Sequence, residues 1–438
     1  MSDMNSVKVI ATQAVTDDVG RSAINAVMWR VIPIVFVLFF FNFLDRVNIG
    51  FAALQMNQDL GFSPQVFGLG AGILYTGYIL FEVPSNMILR RVGARVWLAR
   101  IAVTWGALTM AMMFVNSALS LYVLRFLIGV AEAGWIPGVI FFLSQWFPRA
   151  ELSKAVARMW SAVAVALILG PPSSAGILEM DGLLGLRGWQ WMFLLQGFAT
   201  VIAGVVAYFY LPDRPEDAPW LSSQQRQWLL ATLSSERENA VQHGITSLVQ
   251  ALKSPIVLAF SGILFFVGCG FLGVTIWLPQ MIKQMAGLST LAIGFAAAAP
   301  FLVGAIAMQF FAQHSDRTGE RRYHLVFALL VGALGLAGAG LTINPIASLA
   351  FVTVAAVGML SAISVFWNGP NSMLADDGAA AGFAIINSLG GVAGFVAPPL
   401  IGMMRTMTGD FSGAFLILAL SLTLGAMLTL LLIKTRWR

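Results

Sequence analysis

Two pairs of opposite charges stand where hydrocarbon is expected. Asp45 and Arg46 lie near the end of one long apolar run, and Arg125 and Glu132 lie inside another. A charge at the centre of a bilayer helix costs on the order of 2.5–3.5 kcal/mol on insertion scales, so such residues face a bundle interior or a water-filled cavity. Arginine keeps its charge and forks onto a carboxylate through two parallel N–H bonds, which suits it to clamp an organic anion. A carboxylic acid can gain and lose a proton near neutrality when burial lifts its pKa. These residue types therefore fit a coupled anion carrier, with arginine for the cargo and Asp45 and Glu132 for protons. The competing reading is a structural network in which two acids and two bases cancel and glue helices together. Two such pairs in one half of the chain are more than glue requires.

The spacing asks for helices. Arg125 and Glu132 are two turns apart and share a face, flanked by Gly129, Gly134, Pro137 and Gly138, which let a neighbour or a ligand approach the backbone. Asp45 and Asn48 share another face, from which Arg46 points about 100° away. The histidines (His243, His314, His324) fall outside the apolar core, which leaves proton carriage to the acids. Glu82, beside Pro84, is placed to reach Arg90 or Arg91 and reads as structural. Tyr75, Tyr78, Trp160, Trp277, Trp367, Asn368, Asn387 and Ser388 are candidates to complete a cavity, although any single Trp serves equally well in packing or an interfacial belt.

The elements that must position these groups are membrane spans. Of 438 residues, 58% are apolar and 10% charged, where a soluble domain carries about 25% charged residues; the mean hydropathy is +0.83. At about 20 residues per span, twelve runs fit: 31–51, 65–87, 98–115, 119–143, 157–178, 191–211, 255–280, 291–313, 324–343, 347–370, 383–404 and 412–433. They are continuous rather than alternating, which argues against a β-barrel. The expected fold is an all-α membrane protein of twelve transmembrane helices. It divides into an N-terminal tail (1–29), a six-helix bundle (30–211), a linker (212–254), a second six-helix bundle (255–433) and a C-terminal tail (434–438). In the linker, Ser222-Ser223-Gln224-Gln225 forms a capping box ahead of Trp228, Leu229 and Leu233, predicting a short amphipathic helix on the membrane face.

Of the 25 Lys and Arg residues, twenty fall on one side of this topology. Only Arg187, Lys283 and Arg405 fall on the other, and Arg46 and Arg125 lie within spans. By the positive-inside rule both termini are expected to be cytoplasmic; the expected location is the plasma membrane, a bacterial inner membrane. The net charge of +5 thus reflects orientation and requires no nucleic-acid partner. One cysteine, Cys269, excludes an internal disulfide framework or a Cys-based zinc site, and residues 1–29 contain no apolar core of a cleavable signal. No His-Glu-x-x-His, nucleophile elbow or phosphate loop is present, because Gly68, Gly70 and Gly72 sit inside an apolar span. An enzyme, a metal and an organic cofactor are therefore not expected; the proton is the coupling ion, and a monomer is expected.

The halves also echo one another. Arg91-Val92-Gly93-Ala94-Arg95 follows the second span and Asp316-Arg317-Thr318-Gly319-Glu320-Arg321-Arg322 the eighth; Pro171-Pro172 in the fifth answers Pro398-Pro399 in the eleventh. The glycines are 226 apart and the prolines 227. A shared offset in matching spans argues for a six-plus-six duplication, as in transporters with a midplane site.

With these residues the chain resembles a major facilitator superfamily transporter of the anion:cation symporter family, which carries tartrate, galactonate, phthalate, hydroxyphenylacetate and similar organic anions. The resemblance rests on Asp45-Arg46-Val47-Asn48-Ile49-Gly50-Phe51, Gly77-Tyr78-Ile79-Leu80-Phe81-Glu82-Val83-Pro84-Ser85-Asn86, Arg125 to Gly134, and Ser315-Asp316-Arg317-Thr318-Gly319. It implies that Arg46 binds the substrate carboxylate, Asp45 and Glu132 exchange protons, and Arg125 modulates Glu132. Tyr78, with Asn387 from the second half, would complete the pocket. The loops at Gly93 and at Asp316, Arg317 and Gly319 would latch the cytoplasmic side as the halves rock. Two departures matter. Arg90 replaces the family's acid after the second span, leaving Glu82 as a possible partner for that loop. Phe43 replaces a tyrosine, which leans the cargo toward an aromatic or less hydroxylated carboxylate. The expected function is proton-coupled uptake of a small organic carboxylate by alternating access. The alternatives are anion exchange, uniport without protons, and a transporter-like sensor.

Overall fold

The computed structural model describes residues 2–241, 252–284, 287–373 and 379–432. It is 88% helical, with no strand among the described residues. In chain order the first half holds α1 (Ser2–Asp59), α2 (Pro64–Val92), α3 (Ala94–Ala111), α4 (Ala118–Glu132), α5 (Trp135–Ser144), α6 (Arg149–Leu178) and α7 (Gly188–Tyr210). The linker contributes α8 (Ser223–Val241). The second half holds α9 (Pro255–Lys283), α10 (Thr290–Thr318), α11 (Arg322–Leu341), α12 (Pro345–Phe366), α13 (Asn368–Met373), α14 (Ala379–Gly391), α15 (Ala393–Thr408) and α16 (Ser412–Leu432). Together they make twelve helices long and apolar enough to cross a membrane, in the order the apolar runs predicted.

The differences lie where polar chemistry interrupts a run. The fourth span is two helices: α4 ends at Glu132, and Gly134 takes φ +82° before α5 begins. An L-residue there would strain its backbone, and an added Cβ would sit 2.7 Å from Ser85 Oγ. The tenth span breaks at Trp367, between α12 and α13. α1 runs through the stretch read as the N-terminal tail and buries Ala23 and Val27.

The linker box forms as predicted: Ser222 Oγ accepts from the Gln225 N–H at 3.2 Å, and Gln225 Oε1 from the Ser222 N–H at 3.0 Å. Its helix is not a free surface helix. Leu229 and Leu233 are buried in the first half's core and Trp228 presses on Gly20 of α1. The linker's residues 242–251 and the tail 434–438 lie outside the described residues.

The halves meet most closely at the end away from the termini. Gly68 of α2 abuts Pro398 and Pro399 of α15, while Gly294 of α10 abuts Pro171 and Pro172 of α6. These glycines are also 226 residues apart, so the duplication extends to the contact itself. Proline explains the closeness: it lacks an N–H to serve the turn before it and bends the helix there. Glycine opposite presents bare backbone. Gly50 of α1 lies against the Ile276 carbonyl of α9 in the same way. Phe67 and Trp277 pack edge to face across the halves, with centroids 4.8 Å apart.

Candidate functional site

The four charges converge in the first half, but they pair differently from the sequence expectation. Arg46 Nη2 lies 3.4 Å from Glu132 Oε2, so the acid of α4 takes its ion pair from α1 and not from Arg125. Arg46 is 12% exposed and Glu132 is fully buried. Asn42, one turn before Arg46, donates to the same Glu132 oxygen at 3.2 Å. The Arg46 guanidinium also sits over the rings of Tyr75, 5.7 Å away, and Tyr78, 5.3 Å away. Tyr75 and Tyr78 are three apart on α2 and so share a face.

This cluster is incompletely bonded. Among the described residues, Arg46 Nε, Glu132 Oε1 and the hydroxyls of Tyr75 and Tyr78 are buried without a geometrically good hydrogen-bond partner. Each such atom costs about 1–3 kcal/mol. Four gathered in one buried cluster make a place where a polar ligand recovers that energy.

Asp45 occupies a separate compartment, as its 100° offset predicted. Its carboxylate accepts from Trp105 Nε1 at 2.5 Å, Asn48 Nδ2 at 3.0 Å and Thr109 Oγ1 at 3.5 Å. Asn48 also donates to Gln196 Oε1, whose amide donates to Ser174 Oγ, both at 3.0 Å. A polar chain thus runs from α1 through α7 to α6. Arg125 lies between the compartments: its Nε donates to the Gly70 carbonyl at 3.3 Å, and it interacts electrostatically with both acids. Gly129, between Arg125 and Glu132, faces the Leu74 carbonyl so closely that a Cβ would sit 1.9 Å from it. That approach brings Tyr75 and Tyr78 beside α4.

Asn42, Trp105, Thr109, Ser174 and Gln196 were missed at the sequence level. Trp105 and Thr109, and likewise Gln196 and Thr200, are polar groups four apart in apolar spans, and that spacing was the available signal. From the second half, Trp367 stacks obliquely on Phe383, with centroids 6.1 Å apart. Asn387 is half-buried one turn further along α14. Among the described residues no hydrogen bond or ring contact joins either to Arg46. Trp277 is packing, with its indole N–H donating to the Pro398 carbonyl at 3.3 Å. Phe43 packs across the halves on Phe271, 6.2 Å between centroids.

Glu82 departs from expectation. It bonds neither Arg90 nor Arg91 but accepts from Ser388 Oγ of α14 at 3.1 Å, a link between the halves toward the end that holds the termini. The loop at Gly93 instead takes its acid from Asp213, which accepts from the Arg95 N–H at 2.8 Å and lies 3.7 Å from its guanidinium. In the other copy Asp316 pairs with Arg321 at 3.0 Å, beside Gly319 at φ +64°. Arg317 is exposed in the last turn of α10. In the structure the Gly93 loop is braced by the start of the linker and the Gly319 loop within the second half.

Residues 35–398 match the family model of the Major Facilitator Superfamily. A protein of Agrobacterium vitis named "Putative tartrate transporter" is 45% identical over 423 residues, 96% of this chain and 93% of that one. The "Quinolone resistance transporter" of Acinetobacter baumannii is 36% identical over 412 residues, 94% of this chain and 95% of that one. Among solved structures, a bacterial homologue of the human lysosomal transporter Spinster, inward-facing and occupied, superposes with a TM-score of 0.76 at 14% identity, over 93% of this chain and 98% of that one. Sequence match, helix order and architecture agree: this chain is a multi-pass membrane transporter of the major facilitator superfamily.

Proposed function

We propose that the chain is a proton-coupled symporter that takes up a small organic carboxylate. The observation that carries this reading is the Arg46 cluster, a permanent cation whose Nε, with the Tyr75 and Tyr78 hydroxyls, has no geometrically good hydrogen-bond partner among the described residues. A carboxylate supplies the acceptors that a guanidinium and two phenols need, in a geometry that arginine's fork matches. A neutral or cationic cargo would leave that cation buried with Glu132 alone. The relative named for tartrate, a dicarboxylate, supports the same class.

Proton coupling follows from energetics. Moving one negative charge inward against an interior-negative potential costs about 2.3 kcal/mol per 100 mV, and each proton carried along cancels one such charge. Glu132 is the acid in contact with the arginine, so its protonation frees Arg46 for the cargo. Asp45, one residue away in its own compartment, is the second carrier. Arg125, between the acids, links their states. Tyr78 orients the cargo, and Trp367 and Asn387 close on it from the second half. The orientation is that of an inner membrane with both termini cytoplasmic, so the tightly packed end is the outer one and the structure is closed to the outside. Monomers suffice, because the site is built within one chain.

The test is uptake by cells or vesicles of tartrate, phthalate and hydroxyphenylacetate with external pH recorded. Substrate-dependent alkalinisation outside is expected. Transport without it would establish exchange or uniport, and binding without accumulation in counterflow would establish a sensor.

A further inference from the structure

A second cluster of cations lies at the outer mouth, apart from the central cleft. A cavity of about 430 Å³ there is walled by Leu54 and Asn57 of α1 on one side and by Gln280, Lys283 and Arg405 of the second half on the other. That volume is in the range of small-molecule sites. Its lining holds no Asp or Glu. Neither Lys283 nor Arg405 forms an ion pair among the described residues, whereas Arg187, the other cation at this end, pairs with Asp59 and Asp181 at 3.4 and 3.7 Å.

The two cations are close enough to repel one another, yet both are held in place. Arg405 lies over the rings of Phe411 and Trp277, 4.6 and 5.9 Å away, and donates to Gln280 Oε1 at 2.8 Å. That bond fixes the Gln280 amide, whose Nε2 is buried without a partner; Gln280 itself is 94% buried (6% exposed). Lys283 reaches across the halves to the Leu54 carbonyl. An ammonium, a guanidinium and an unpaired amide N–H thus border one cavity with no acidic group among them.

We propose that this cavity receives a small organic carboxylate on its way in, held by Lys283, Arg405 and the Gln280 amide. Lys283 exchanges the Leu54 carbonyl for the anion as the mouth opens. The chemical class rests on the reading of the cargo as an organic anion; the location does not. With the mouth shut, Lys283 ties α9 to α1. An anion gives that ammonium a stronger, charged acceptor, so docking favours release of the tie, and the cations raise the local anion concentration at the entrance.

The test is the distance between spin labels on cysteines at Gln65 and Met407, exposed residues on opposite halves beside the mouth, in a Cys269→Ser background. Sodium tartrate at low ionic strength should lengthen that distance with the same midpoint in the parent and in Arg46→Ala. Arg405→Gln, which leaves the Lys283 tie in place, should raise the midpoint about tenfold or more, the scale of losing hydrogen bonds to charged groups. Lys283→Gln alone should lengthen the distance before any anion is added, and Lys283→Arg should keep the parental midpoint, which separates loss of charge from misfolding. Sodium chloride at equal ionic strength distinguishes the ligand's source, and an equal response to chloride would overturn the carboxylate assignment. A response lost in Arg46→Ala but kept at the parental midpoint in Arg405→Gln would place the anion in the central cleft alone. That outcome overturns the mouth site and leaves the carrier reading standing. No response in any protein also overturns the proposal.

Discussion

Arg46 and Asp45 are sequence neighbours with different surroundings, and substitutions should separate them. Arg46→Ala removes the cation that lies over Tyr75 and Tyr78 and takes from Glu132 its ion pair, leaving it the Asn42 hydrogen bond and the more distant Arg125 charge. Truncating one partner of a buried charge pair costs about 2–5 kcal/mol, so carboxylate binding should weaken by more than about 30-fold, measured as loss of the ligand-induced thermal shift. Asp45→Asn keeps an oxygen for the Trp105 N–H but cannot carry a proton. It should spare exchange in counterflow and abolish pH-driven accumulation; normal accumulation would remove Asp45 from the proton path. The 100° divergence of these two side chains was legible from helical geometry alone. That Glu132 belongs to Arg46 was not, because an ion pair between spans depends on how α1 and α4 cross.

The break in the fourth span is the element on which the site turns. α4 stops at Glu132 and Gly134 reverses the sign of φ, so the Glu132 carboxyl sits at a helix end and not within a continuous ladder. Gly134→Ala should cost about 1–2 kcal/mol for the left-handed backbone, with more from the contact to Ser85, and lower the melting temperature without changing cargo preference. Glycine and proline were visible in that run, but glycines in membrane helices more often serve close packing, as Gly129 does here. The loop between α10 and α11 offers a pH test. Partial burial works to raise the Glu320 carboxyl. The backbone N–H groups of Tyr323 and His324, with the His324 ring, outweigh it and hold that carboxyl below the ordinary range. A depressed folded pKa adds stability above the unfolded value and loses it as pH falls through the folded one. The melting deficit of Glu320→Gln should therefore be largest near neutrality and vanish in acid.

At the scale of the whole molecule, the two-fold repeat places Gly68 on Pro398 and Pro399, and Gly294 on Pro171 and Pro172. A Cβ on either glycine meets the opposite half at 2.5–2.6 Å. Gly68→Ala and Gly294→Ala should each destabilise the shut mouth and shift the population toward an open one. A cysteine at Asn57, in the Cys269→Ser background, would report this as faster labelling from outside. Matching effects from both halves are expected because the contacts are symmetry copies; an effect from one alone would count against equivalent roles. At the opposite end the Ser388–Glu82 hydrogen bond links the halves.

The twelve spans, the duplication and the charged residues and tyrosines of the central cluster were legible in the sequence. Each follows from a local or periodic property: the length of an apolar run, a repeated offset, a charge where hydrocarbon belongs. Partnership was decided only by tertiary structure. Asp213 in place of Glu82 at the Gly93 loop, Ser388 on Glu82, Trp105 on Asp45, and Lys283 across the mouth all join residues on different elements. The physical reason is that hydropathy specifies which segments are helices and roughly which face is buried, whereas ridge-and-groove packing between helices, set by glycine and proline contacts far along the chain, specifies which buried polar groups meet.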